Sequence, residues 1–202
     1  MQEMNEISLL LYETNSIKIG NFLLASGKTS SIYIDMRNML GYPNGFKKVS
    51  DLLTNFAEKI IKSKKIDSIV GVATGGIPWA TIISYKLMMP MSYVRPSKGH
   101  GTDSKIEGFN VNKKNCLIID DVSTTGESII SAVKLIRSLG GIVDESLVII
   151  DRNQGALSNL RNEGVNLNYL FSLKDILNSL QNQNLIEENI FRKINLELYG
   201  VP

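Results

Sequence analysis

The chain has 202 residues, 43% of them hydrophobic and 21% charged, with a formal net charge of +2. That is enough for one well-packed domain, and the near-neutral balance gives no bias toward nucleic acid or a membrane surface. The one cysteine, Cys116, excludes an intrachain disulfide and a cysteine zinc site, and its apolar neighbours make it a small core residue.

Residues 3 to 14 read as a helix, in a segment too acidic and too short in its apolar part for a secretory signal. No apolar run approaches about 18 residues, so a soluble cytoplasmic protein is expected. Residues 17 to 36 read as short strands around "LLASGKTSS". Residues 44 to 63 form an amphipathic helix with Phe46, Val49, Leu52, Leu53, Phe56 and Ile60 on one face. Short apolar strands and helices then alternate: "SIVGVA" (68–73), a helix over 77–88, "MSYVR" (91–95), "CLIID" (116–120), a helix over 127–141 closed by a glycine pair, and "ESLVIID" (145–151). Nearly all-apolar strands between helices imply a parallel sheet covered on both faces. The stretch 96–114 is polar and glycine-bearing and reads as a loop, functional or a solvated hairpin. Beyond residue 172 the chain is helical and is expected at the edge of the fold.

In such sheets ligands sit beyond the carboxyl ends of the strands. Three strand ends carry polar residues: "ATGG", "DDVSTTG" and "DRNQG". In the second, Thr124, Thr125 and Gly126 fall at a helix N-terminus, where backbone N–H groups and the helix dipole favour a phosphate. The GxxxxGK[ST] pattern and its lysine are absent, which argues against a nucleoside triphosphate held in a P-loop. Asp120 and Asp121 do not favour a phosphate; they suit the vicinal hydroxyls of a ribose, or a hydrated Mg²⁺. A phosphate cradle beside hydroxyl-binding acids describes a ribose 5-phosphate site. The plain alternative is an ordinary strand end with Ser123 as a helix N-cap. The Gly-Gly turn of "ATGG" offers a second anion nest. Arg95, Lys98 and the single histidine, His100, put cationic and proton-transfer groups on the loop that follows.

"LIIDDVSTTGES" resembles the phosphoribosyl diphosphate (PRPP) motif of the type I phosphoribosyltransferases. "RPSKGHG" resembles the catalytic loop of the orotate phosphoribosyltransferases within that family, with Pro96 where a second basic residue is common and the segment one residue shorter. "ASGKTSSIYIDMR" resembles their N-terminal signature, with Ala25 where bacterial relatives carry lysine, and "IIDRNQGA" resembles their strand ending in Asp-Arg. The resemblance covers most of residues 17 to 156.

The resemblance implies a type I phosphoribosyltransferase α/β fold: a central, mostly parallel sheet flanked by helices. A small hood would come from the N-terminal segment and C-terminal elements. The expected organisation is a single domain over 1–202: 1–40 mainly hood, 41–155 the core with a flexible loop at 96–110, and 156–202 the C-terminal elements. It implies that PRPP meets Arg95, Lys98, His100, Thr74 and Gly75 through its diphosphate. Asp120 and Asp121 would meet the ribose hydroxyls, in a motif continuing through Val122. Ser123, Thr124, Thr125, Gly126, Glu127 and Ser128 would wrap the 5-phosphate. Arg152, Thr124 and Lys28 would meet orotate; an arginine fork suits its carboxylate and carbonyls. Lys98, His100 and Arg95 would be the catalytic groups, with Lys98 and His100 reaching a neighbouring subunit's site in a homodimer. Mg²⁺ would arrive on the PRPP diphosphate, with no protein ligand assigned. The expected activity joins orotate to PRPP, giving orotidine 5′-phosphate and diphosphate on the way to UMP. A DNA-binding regulator on this fold is disfavoured by the near-neutral charge and by the roughly 25 residues before "ASGK", too few for a helix-turn-helix unit.

Overall fold

The computed structural model describes residues 2–23, 29–95 and 105–200. Its contacts gather into two compact units, one from residues 1–47 with 171–202 and one from residues 48–170.

The first unit holds α1 (Gln2–Glu13), β1 (Ile17–Leu23), β2 (Thr29–Ile34) and a 3-10 turn (Met36–Gly41). Ile7 and Leu11 are one helical turn apart and fully buried, as are Ile32, Met36 and Met39. β1 and β2 form an antiparallel hairpin with a register shift between Ile19 and Phe22. The signature "YIDMR" has a local structural task here. Asp35 accepts two side-chain hydrogen bonds from Arg37, at 2.7 and 2.8 Å, and caps the 3-10 turn through the Arg37 N–H. These contacts, led by the guanidinium, hold the Asp35 carboxyl below its usual range.

The helix α2 (Pro43–Lys64) starts on proline, which suits a first turn, and ends on Lys62 and Lys64, which suit the negative end of the dipole. Val49, Leu53 and Ile60 of its expected apolar face are buried, while Phe46, Leu52 and Phe56 are half-buried.

The second unit is built on a six-stranded sheet. In chain order its elements are β3 (Ser68–Val72), α3 (Gly76–Leu87), β4 (Met91–Arg95), β5 (Lys105–Gly108), β6 (Asn115–Ser123), α4 (Glu127–Ser138), β7 (Ile142–Asp151), α5 (Ala156–Asn162) and β8 (Asn166–Ser172). The sheet order is β5-β4-β3-β6-β7-β8. β3 pairs in parallel with β4 and β6, and β6 with β7; β5 runs antiparallel to β4. All five residues of β3 are buried, as expected for a strand covered on both faces. On one face Val70, Ile118 and Val148 pack with Ile129, Val133 and Ile136 of α4. After β8 the chain returns to the first unit with α6 (Leu173–Asn182) and α7 (Glu188–Tyr199). Ser172 caps α6 by accepting from the Asp175 N–H at 3.1 Å.

The expected α/β class and mostly parallel sheet are what the structure has. The differences lie at the strand ends. β6 does not stop at Asp120 but pairs on through Val122 with Ile150 and Ser123 with Asp151, because β7 is long enough to receive it. β7 likewise starts at Ile142 rather than 145. Part of the stretch expected as loop is the edge strand β5, and residues 156–172 supply α5 and β8, which hydrophobic patterning did not separate. No described helix is long and apolar enough to cross a membrane.

Candidate active site

The sheet order reverses between β3 and β6, since β4 lies to one side of β3 and β7 to the far side of β6. In open α/β sheets ligands bind at such a switch point, beyond the strands' carboxyl ends. Two turns meet there: residues 73–75 between β3 and α3, and residues 124–126 between β6 and α4.

The β6 turn presents the acids. Asp120 is 5% exposed; its Oδ1 accepts from the Asp121 N–H at 2.9 Å and its Oδ2 from the Ser128 hydroxyl at 3.0 Å. Burial, and then the neighbouring Asp121 charge, push its carboxyl well up from the usual range. Asp121 is half-buried, and its Oδ1 accepts from the Val122 N–H at 2.9 Å. Thr124, Thr125, Glu127 and Ser128 are exposed and Val122 half-buried. Gly126 is buried, with a φ of 83° that admits glycine far more readily than other residues. It caps α4 without a side-chain hydrogen bond, so the N-terminal N–H groups of the helix keep no side-chain acceptor from the cap.

The alternative of Ser123 as the N-cap is therefore set aside. Ser123 is 1% exposed and lies within β6, and its hydroxyl donates to Asp151 Oδ1 at 2.8 Å.

The β3 turn presents backbone. The Ala73–Thr74 peptide is cis, Thr74 is exposed, and Ala73 N–H donates to the Val94 carbonyl at 2.9 Å. Arg95 follows Val94 as the last residue of β4; its guanidinium donates to Glu107 Oε1 at 2.8 Å across the β4–β5 pair. Gly75 lies against the Asp121 carboxylate so closely that a Cβ would overlap it, and a Cβ on Gly76 would overlap the Ile119 carbonyl oxygen. The β3–α3 turn therefore packs directly against the end of β6, and glycine is what permits it.

Arg152 follows β7 and is half-buried; its N–H donates to the Ser123 carbonyl at 2.9 Å. So Thr74, Gly75, Arg95, the segment from Asp120 to Ser128, and Arg152 belong to four adjoining strand ends, those of β3, β4, β6 and β7. Lys28, Lys98 and His100 lie outside the described residues.

Among proteins of known sequence, the phosphoribosyl transferase domain family matches residues 40–163. The orotate phosphoribosyltransferase of Sulfolobus acidocaldarius is 42% identical over 180 residues, 89% of either chain. That of Pyrobaculum islandicum is 42% identical over 184 residues, 90% of this chain and 92% of the relative. The chain belongs to the orotate phosphoribosyltransferase family. The crystal structure of orotate phosphoribosyltransferase from Aeropyrum pernix superposes with a TM-score of 0.80 at 36% identity, covering 90% of this chain and 99% of that one. Leishmania donovani UMP synthase matches 97% of this chain with 42% of its own, at a TM-score of 0.83 and 29% identity.

For an orotate phosphoribosyltransferase the question of Mg²⁺ arises. Among the described residues no group of three or more His, Cys, Asp or Glu side chains gathers to cage an ion. Asp120 is buried and accepts on both oxygens; Asp121 is half-buried and accepts from the Val122 N–H. The half-buried Asp121 carboxylate fits the way Mg²⁺ is commonly held, through one or two carboxylates plus waters and substrate phosphates. Two contributors escaped the sequence reading: Gly76, whose only signal was the Gly-Gly pair, and Asp151, hidden in "IIDRNQG" as the residue before the arginine.

Proposed function

We infer that this chain is an orotate phosphoribosyltransferase. It transfers the 5-phosphoribosyl group of PRPP to orotate, giving orotidine 5′-phosphate and diphosphate. The observation that carries this is the paired-acid turn, Asp120 and Asp121 followed by Thr124, Thr125 and Gly126 at a helix N-terminus. It sits in a chain related over about nine-tenths of its length to orotate phosphoribosyltransferases.

In this reading the α4 N-terminus and the 124–128 segment hold the 5-phosphate, and Asp120 and Asp121 accept from the ribose hydroxyls. A ribose hydroxyl donating to Asp120 would offset part of the cost that burial places on its charge. The backbone of Thr74 and Gly75, with Arg95, Lys98 and His100, receives the diphosphate. Arg152, Thr124 and Lys28 orient orotate. Mg²⁺, carried on the diphosphate with Asp121 at hand, would neutralise charge on the leaving group. N1 of orotate forms the new bond to C1′ as the C1′–O bond to diphosphate breaks. Orotate is already an anion, so the protein supplies positioning and charge neutralisation rather than a base. Lys98 offsets the diphosphate's charge and His100 donates a proton to it. A homodimer sharing these loops, working in the cytoplasm, completes the proposal.

The test is to mix protein, orotate, PRPP and Mg²⁺ and follow the loss of orotate absorbance. Turnover is expected. Turnover with a purine base but none with orotate would sink the choice of base and leave the family intact.

A further inference from the structure

The 5-phosphate turn does not stand alone. Four hydrogen bonds tie it to the segment that carries Arg152. The buried Ser123 hydroxyl donates to Asp151 Oδ1 at 2.8 Å, and Arg152 N–H donates to the Ser123 carbonyl at 2.9 Å. Ala156 N–H donates to the Thr124 carbonyl at 3.2 Å, and Asn159 Nδ2 to the Thr125 carbonyl at 2.9 Å. Packing adds to this: Gly126 faces Leu160 and Ala156 closely enough that a Cβ there would lie 3.4–3.5 Å from them. Asp151 itself is fully buried, and its second oxygen accepts from Asn153 Nδ2 at 3.2 Å.

These bonds have a common sense. Three consecutive carbonyls, of Ser123, Thr124 and Thr125, are held by the 152–159 segment. With its carbonyls engaged on that side, the turn is kept in one conformation before any anion arrives. The same segment bears Arg152, so any shift of the phosphate turn is passed to the arginine, and the reverse.

We propose that Ser123, Asp151 and Asn159 are positioning residues that join the 5-phosphate turn to the orotate arginine, so that filling one subsite strengthens binding at the other. This rests on the functional reading above for the identity of the second ligand. Ser123 then acts through its hydroxyl on Asp151 rather than on the phosphate. Coupling of this kind requires two sites and a shared element that both bias, and the joined turns are that element.

The test uses ribose 5-phosphate and orotate, which together lack the diphosphate and cannot react. Orotate is titrated calorimetrically with and without saturating ribose 5-phosphate. The wild-type protein is expected to bind orotate about fivefold or more tightly in its presence, the lower range of common allosteric couplings. Ser123→Ala and Asn159→Ala should each bring that ratio toward one. Asp151→Asn, which keeps an acceptor for Ser123, should retain most of it. Each alanine variant should also weaken ribose 5-phosphate alone, by about two- to tenfold, as expected for loss of one hydrogen bond. A purely structural role would lower the melting temperature and leave the ratio untouched, and that result overturns the proposal, as does a wild-type ratio of one. If wild-type protein binds ribose 5-phosphate but no orotate, the functional reading fails. The brace is then judged by ribose 5-phosphate affinity in the alanine variants: an unchanged affinity refutes it, a weakened one upholds it.

Discussion

The two turns at the switch point solve neighbouring problems by opposite means. The β6–α4 turn works with side chains and a helix N-terminus: Asp120 accepts from the Asp121 N–H and Ser128, Asp121 from the Val122 N–H, and Thr124 and Thr125 stand exposed before an α4 N-terminus that no side chain caps. The β3–α3 turn works by having almost none. Its glycines let one backbone lie against Asp121 and the Ile119 carbonyl, where any Cβ would collide. One turn is shaped by what it displays, the other by how closely it can approach. A substitution should therefore damage the first through lost contacts and the second through gained ones.

Gly76→Ala puts that contrast to its hardest test. The new methyl would meet backbone, which cannot swing aside, so a loss of about 3 kcal/mol in stability by chemical denaturation is expected, near the top of the usual range for overpacking. A variant as stable as wild type would break the close-approach argument.

Gly75→Ala should behave differently, since its collision is with the far end of the Asp121 side chain. The fold should survive with the carboxylate displaced. The KM for PRPP is expected to rise about tenfold, the value of one charge-assisted hydrogen bond of about 1.5 kcal/mol. An unchanged KM would remove Asp121 from ribose binding.

Asp120→Asn should separate stability from function. The Asp120 carboxyl is raised by burial, so the folded state favours its protonated form. Its contribution to stability is present below the ordinary carboxyl range and is lost as pH rises through the raised value. Asparagine mimics the protonated form. The variant should melt a few degrees above wild type at neutral pH, an effect of about 1 kcal/mol, with the advantage vanishing near about pH 4. PRPP affinity should fall in the same variant. Melting curves across pH give the answer, and a gain that grew toward acid would reverse the assignment.

Ser128→Ala is the mildest probe. It removes one donor to Asp120 Oδ2 and should raise the KM for PRPP about two- to fivefold without a change in melting beyond a degree or two. An unchanged KM would take Ser128 out of the segment that holds the 5-phosphate and leave it only as a partner of Asp120.

Much of this could be read from the chain. The apolar runs of β3, β6 and β7 have no polar alternation, which is the mark of a buried parallel sheet, and "DDVSTTG" states its chemistry in residue types. What could not be read is pairing at a distance. Nothing local in "VSTTG" says that the Ser123 hydroxyl turns to Asp151, 28 residues on, because that choice depends on β6 and β7 continuing together past the apolar run. Hydrophobic patterning ends at Asp120, whereas backbone pairing ends only when the partner strand does. Similarly, Asp35 and Arg37 read as signature residues, and only the folded chain reveals that Asp35 caps a 3-10 turn through the Arg37 N–H while the guanidinium grips its carboxylate. The roles of Lys28, Lys98 and His100 rest on motif alone, since these residues lie outside the described ones.

The division of the chain into a continuous unit and a discontinuous one bears on how it is made. Residues 48–170 form one stretch, whereas the other unit joins 1–47 to 171–202. Its ties span the chain: the Ser8 and Ser179 hydroxyls meet at 2.8 Å, and the Ser31 N–H donates to Glu197 at 2.9 Å. On a ribosome the six-stranded sheet has nearly all its residues before α6 emerges, while α1 and the first hairpin must wait, already synthesised, for partners translated last. Nascent chains stalled with residue 170 just clear of the ribosome should therefore protect the 48–170 segment from protease and leave residues 1–47 open to it.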